Sequence, residues 1–267
     1  MLSEYKESDL LPDFLVNKRF SKSKPNSAEF DDETINLIQS VFFSIINIDP
    51  LNISEKDYDV FINLSKIVDS DKCFCALPKI VPYSIYHYLI NFFVVSNDEN
   101  IHNLISRIIV ALTNDATDSL LELSNENIIS IIQDNMFYFK YKFSVDLYFD
   151  IIANFLIDPN QNVSFLAHNS FPIKLLFRFF QFIKTSLKDD LENEEDSNSQ
   201  LHKLSNSIAN KWMKCIYLTI ERYPEDISES EATIILFEIE KYFNVVHEDP
   251  LLCKYLCDSI IILISNN

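Results

Sequence analysis

NVSFLAHNSFPIKLLFRFF, residues 162–180, is an apolar stretch at helical spacing that is interrupted at His168, Asn169 and Ser170 and restarts at Pro172. Proline fits the first turn of a helix, where its missing N–H would have had no intrahelical acceptor. The stretch therefore reads as one helix ending and a second beginning. The same break occurs in LLELSNENIISII, residues 120–132, and in CALPKIVPYSIYHYL, residues 75–89.

Aligned on the residue that follows each break, Pro82, Ile128 and Pro172 fall into register, 46 and 44 positions apart. Such spacing matches the roughly 40–47 residue period of stacked helical repeats. Each unit divides into a short, a medium and a long helix. In one unit these are expected over 115–124, 127–139 and 143–157, and in the next over 162–168, 171–187 and 200–222. Asn125 and Asn169 are expected at the turns, where a left-handed residue is needed and asparagine tolerates that conformation. Helices that are apolar on more than one face, as in the run Phe177, Phe179, Phe180 and Phe182, cannot cover themselves and are expected to stack on neighbours.

The stretch FLAHNSFPIKLL resembles the armadillo repeat, whose short helix ends at a glycine followed by two residues and a proline. Asn169 takes the glycine position and Pro172 the proline. The long helices carry a second mark of that family, an apolar run reaching asparagine, in VALTN at Asn114 and IIANF around Asn154, 40 positions apart. The resemblance implies an all-α, armadillo-like α-solenoid of about four to five degenerate repeats over 31–267. Its last helical pair is expected over 231–246 and 251–265, and a generic array of helical hairpins stays open as the alternative. It implies a noncatalytic protein-binding scaffold or adaptor whose long helices line a groove, with Asn114, Asp150, Asn154 and Trp212 near it.

Composition narrows the chemistry. The 267 residues are 48% hydrophobic, enough to build a large core despite a formal net charge of -18. Glycine is absent, which excludes the phosphate-cradling loops, dinucleotide fingerprints and nucleophile elbows that depend on it. Five histidines are scattered without a Ser/His/Asp or Cys/His arrangement. No enzyme is expected, and a side-chain acid/base site is the lower-ranked alternative. The five cysteines show no framework spacing, as expected of reduced thiols in the cytoplasm or nucleus. Cys253 and Cys257, with His247 nearby, lie in an apolar helical pattern and read as core rather than as a zinc site, so no metal and no cofactor are expected.

MLSEYKESDLLPDF at the start has early acids and no apolar core segment, unlike a secretory signal or transit peptide. Residues 80–97 are free of formal charge but hold Pro82, His87 and Asn91, and read as a buried amphipathic helix rather than a membrane span. A pI near 4.6 and the lack of a basic stripe on any helix argue against nucleic acid.

The acidic run DDLENEED, within a loop expected at 188–199, reads as a solvated insertion. The one basic cluster, Lys18, Arg19, Lys22 and Lys24, belongs to a flexible arm expected over 1–30. A basic arm ahead of an acidic repeat array resembles a reduced importin-alpha, which would make the chain a nuclear transport adaptor for basic peptides. That family places tryptophan four residues before its groove asparagines, where this chain has Val110 and Asp150. The partner is thus expected to be a protein or peptide, with basic sequence favoured by the surrounding acid.

Overall fold

The computed structural model describes residues 30–114, 116–138, 141–193, 198–246 and 250–266. The basic arm up to residue 29, His247 and positions 194–197 of the acidic run lie outside the described residues. Among the described residues there are thirteen α-helices and no strand, so the chain is all-α, as expected.

The chain forms two compact units that divide between Ile128 and Ile129. The first holds α1 (Asp32–Ser44), α2 (Tyr58–Asp69), α3 (Asp71–Ile80), α4 (Tyr86–Val95), α5 (Glu99–Thr113) and α6 (Thr117–Asn125). From the division onward run α7 (Ile128–Tyr138), α8 (Val145–Ile157), α9 (Gln161–Ser170), α10 (Ile173–Asn193), α11 (Asn198–Arg222), α12 (Glu229–Val246) and α13 (Pro250–Asn266).

Helix starts follow from polar caps that take up the free N–H groups of a first turn. Asp31 accepts from Thr34 N at 2.8 Å, Asp98 from Asn100 N at 2.9 Å and Asn160 from Asn162 N at 3.0 Å. These three residues open α1, α5 and α9.

The breaks are made in two ways. Val81 and Phe171, each preceding a proline, leave the helical region at φ -79, ψ 120 and φ -122, ψ 61, because the proline ring disfavours helical geometry in the residue before it. At the α6–α7 break Ile128 replaces proline, and Asn127 supplies the turn with φ 57, the one positive φ among the described residues. Asn125 and Asn169 instead end inside α6 and α9. The left-handed residue therefore sits two positions later than expected at one break, and the proline makes it unnecessary at the other.

Two further expectations change. Residues 80–97 do not form one helix: α3 ends at Ile80, Pro82 follows, and a short 3-10 turn (Tyr83–Ile85) leads into α4. The acidic run does not begin as a loop, since α10 continues to Asn193 and α11 starts at Asn198. Of the four phenylalanines on α10, Phe177, Phe179 and Phe180 are buried while Phe182 is 43% exposed, so the helix is covered on a broad face but not all round.

In each unit one pair of helices lies parallel, as its side-chain links show. In the first unit Tyr58, opening α2, donates to Asp98 at the start of α5 at 3.1 Å, and Asp69, closing α2, pairs with Arg107 further along α5. These partners are 40 and 38 positions apart. In the second unit Asp146 on α8 accepts from Ser207 on α11, the carbonyl of Phe149 accepts from the Cys215 thiol, and the carbonyl of Asp158 accepts from Arg222. Those separations are 61, 66 and 64 positions.

Candidate functional site

Asp146, Asp150 and Asn154 recur every fourth residue on α8 and so share one helix face. That face meets α11. Lys211 reaches Asp150 Oδ2 at 2.6 Å and Asp146 Oδ2 at 2.8 Å, and Ser207 donates to Asp146 at 3.1 Å. The side chains of Asp146, Asp150 and Lys211 keep 17%, 24% and 25% of their exposure, so the cluster is part-buried yet reachable from solvent.

Two carboxylates around one ammonium set the electrostatics. Burial pushes the Asp150 carboxyl above its ordinary range against the pull of Lys211, and the like charge of Asp146 adds to the rise. Burial alone would lower Lys211, but the two carboxylates outweigh it and hold the ammonium above its ordinary value. Lys214, on the same helix as Lys211, acts on Asp150 at longer range and also favours its charged form.

Tyr217, further along α11, extends the polar seam toward α13. It stacks on Tyr255 with ring centroids 5.0 Å apart and donates to Glu221 at 2.6 Å. That hydrogen bond to a carboxylate, with burial and the charges of Glu221 and Asp258 behind it, pushes the Tyr217 phenol up to about 12. The α8–α11–α13 surface thus offers carboxylates, an asparagine and tyrosine rings, groups suited to cations and to polar peptide backbone. Nucleophilic chemistry has little footing on it. Cys215 is fully buried, donates to the Phe149 carbonyl, and has its thiol pushed up by burial, which suppresses the thiolate.

Of the four residues singled out from the sequence, Asp150 and Asn154 lie one turn apart on α8, both half-buried. Asn114 is the half-buried C-cap of α5 in the first unit. Trp212 is 1% exposed, donates from its indole to the Leu176 carbonyl at 3.1 Å and stacks on Phe180 at 4.1 Å. It packs in the core between α10 and α11 and presents no surface to a partner. Lys211 was not singled out. No local pattern in the sequence marks it, because its partners stand on α8, with Asp146 65 positions earlier.

Cys73 is buried and Cys75 exposed; Cys253 is half-buried and Cys257 exposed, so the core position expected for these two is not found, and none of the four is in a disulfide. Among the described residues no three of His, Cys, Asp and Glu come close enough to hold a metal ion, and no helix is long and apolar enough to cross a membrane. No family model, curated protein or solved structure matches this chain.

Proposed function

We propose that this chain is a noncatalytic scaffold of the armadillo-like helical-repeat kind, which binds a basic or polar stretch of a partner protein along the α8–α11 seam. Asp150 and Asn154 stand on α8 at that seam, while Asn114 caps the end of α5 in the first unit. Trp212 is left out because of its burial.

The observation that carries the reading is that in each unit two helices separated by other helices run parallel, each pair with its own sequence separation. A stack of repeats brings each residue against its counterpart one repeat away, so contacts recur at the repeat length. In the first unit the links span 38–40 positions. In the second they span 61–66. The longer step has a local cause: α10 and α11 run 21 and 25 residues, where α7 and α8 run 11 and 13. Asp189 and Asp190 fall in the last turns of the lengthened α10, so on this reading one repeat carries the extra length.

The net charge of -18 attracts cationic segments, and Asp146 and Asp150 are the carboxylates that the seam offers them. The test is a titration of the full chain with a labelled, lysine- and arginine-rich extended peptide. Asp150→Asn combined with Asn154→Ala is expected to weaken binding about tenfold, or ~1.4 kcal/mol, with the helical dichroism of the folded chain retained. Wild-type affinity should fall as salt rises, mainly through the association rate. An unchanged affinity in the double variant, or turnover of a small molecule that the variant abolishes, would overturn the reading.

A further inference from the structure

Helices α10 and α12 of the second unit start side by side. Lys174, in the first turn of α10, lies 2.7 Å from the carboxylate of Glu231, in the first turn of α12. Beyond that pair the two helices leave an open groove of about 220 Å³, floored by Phe177, Ile234 and Ile235, with Arg178 on its α10 wall. Ile234 is 56% exposed and Phe237, one turn further along α12, is 60% exposed. Spaced three apart, they lie on one side of the helix and extend the apolar floor into a continuous track rather than scattered surface hydrophobes. The Glu231 carboxylate is taken up by Lys174 and by the Ser228 hydroxyl, which donates to it at 2.8 Å. Arg178 is exposed and makes no hydrogen bond or ion pair among the described residues. A guanidinium open to solvent thus stands over an apolar track.

We propose that the α10–α12 groove docks an acidic amphipathic helix of a partner protein. Two helices with a gap between them make the walls into which a third helix lays its apolar stripe, with anchors at i, i+3, i+4 and i+7. Such anchors take Ile234 and Phe237 out of water. A glutamate or aspartate beside the stripe accepts two parallel hydrogen bonds from the Arg178 guanidinium, the geometry that planar fork favours. The Lys174–Glu231 pair closes the groove at the starts of both helices and limits how far the bound helix extends in that direction. A preference for acid runs against the charge of the whole chain, -18, which repels an acidic partner at long range. Selectivity here therefore comes from contact, through Arg178 and the apolar track together.

The groove is built on α10 and α12 and the seam on α8 and α11, so the two can be tested apart. The probe is a fluorescein-labelled designed peptide of about 14 residues, with leucine at the four anchor spacings and glutamate between them. It is titrated into the full-length protein at about 0.15 M salt, where the Debye length is about 8 Å and long-range repulsion is screened. It is expected to bind the wild type about tenfold or more tighter than a twin whose leucines are replaced by serine. Ile234→Asp and Arg178→Glu are each expected to weaken the probe about tenfold or more, and Arg178→Lys, which keeps the charge without the fork, to weaken it less than Arg178→Glu. Both positions are exposed, and an unchanged melting curve verifies the fold. Asp150→Asn with Asn154→Ala should leave the affinity for this probe as it is. No binding by the wild type, binding no tighter than that of the serine twin, or binding that survives both groove substitutions overturns the proposal. Self-association of the wild type that Ile234→Asp abolishes also overturns it, because the groove would then belong to a second copy of the chain.

Discussion

Lys211 Nζ lies 2.6 Å from Asp150 Oδ2, joining two parallel helices through a part-buried ion pair that Asp146 shares from 2.8 Å on the other side. One cation serves two anions, and the three groups respond differently to substitution and to pH.

Lys211→Met leaves two part-buried carboxylates facing each other. The loss of stability expected in urea denaturation is about 2–3 kcal/mol, below the ~3–5 kcal/mol of a fully buried broken pair because each group keeps contact with water. Asp150→Asn behaves in the opposite sense. Its carboxyl is held by burial above the ordinary value of 3.8, so its contribution is present below that value and is lost as pH rises through the raised one. Relative to wild type, Asp150→Asn is therefore expected to be more favourable at pH 7 than at pH 3.5. A difference that is flat with pH, or that runs the other way, contradicts this account.

Glu231 carries the reverse dependence. Hydrogen bonds from Lys174 and Ser228 hold its carboxyl down at about 2 from an ordinary 4.5. A depressed carboxyl stabilises the fold above its unfolded value and loses that contribution as pH falls from about 4.5 toward about 2. Thermal melts of Glu231→Gln should lie below wild type at pH 6 and converge with it near pH 2.5. Lys174→Met should show a weaker form of the same convergence, since the Ser228 bonds remain.

Asn127 stands at φ 57, where a side-chain-bearing residue is strained. Asn127→Ala is expected to cost about 1 kcal/mol and Asn127→Gly to be neutral or mildly stabilising. Asn125→Ala, two residues earlier and inside α6, is the control and should not destabilise. Guanidinium midpoints for the three variants decide it, and equal losses at both asparagines would place the turn elsewhere.

Much of the helical framework was legible because its signals are local. Helices expected over 143–157 and 200–222 are found as α8 (Val145–Ile157) and α11 (Asn198–Arg222), since apolar periodicity and nearby polar caps fix them. The acidic end of α10 was misread as loop because like charge in sequence suggests repulsion, yet glutamate, leucine and aspartate in that run do not break a helix already under way. The left-handed turn was misplaced for a different reason. Whether Asn125, Asn127 or Asn169 adopts it depends on whether proline or isoleucine follows, a contest between two ways of ending a helix.

The candidate seam was legible only in part. Asp150 and Asn154 share a face by their spacing alone, but the cation between the two aspartates comes from α11, and no local pattern announces a partner so far along the chain. Trp212 illustrates the converse. Its burial between α10 and α11 follows from packing that only the assembled helices define.

Trp212 is also the sole indole in the sequence, and it sits in the second unit. Intrinsic fluorescence excited at the indole band therefore watches that unit alone, whereas far-ultraviolet dichroism sums the helices of both. Comparing the two signals through a denaturation separates a chain that melts in one step from one that melts in two, with no label and no substitution. The first unit, lacking tryptophan, can receive one at an exposed aromatic position such as Tyr83, 46% exposed, to give the complementary optical view.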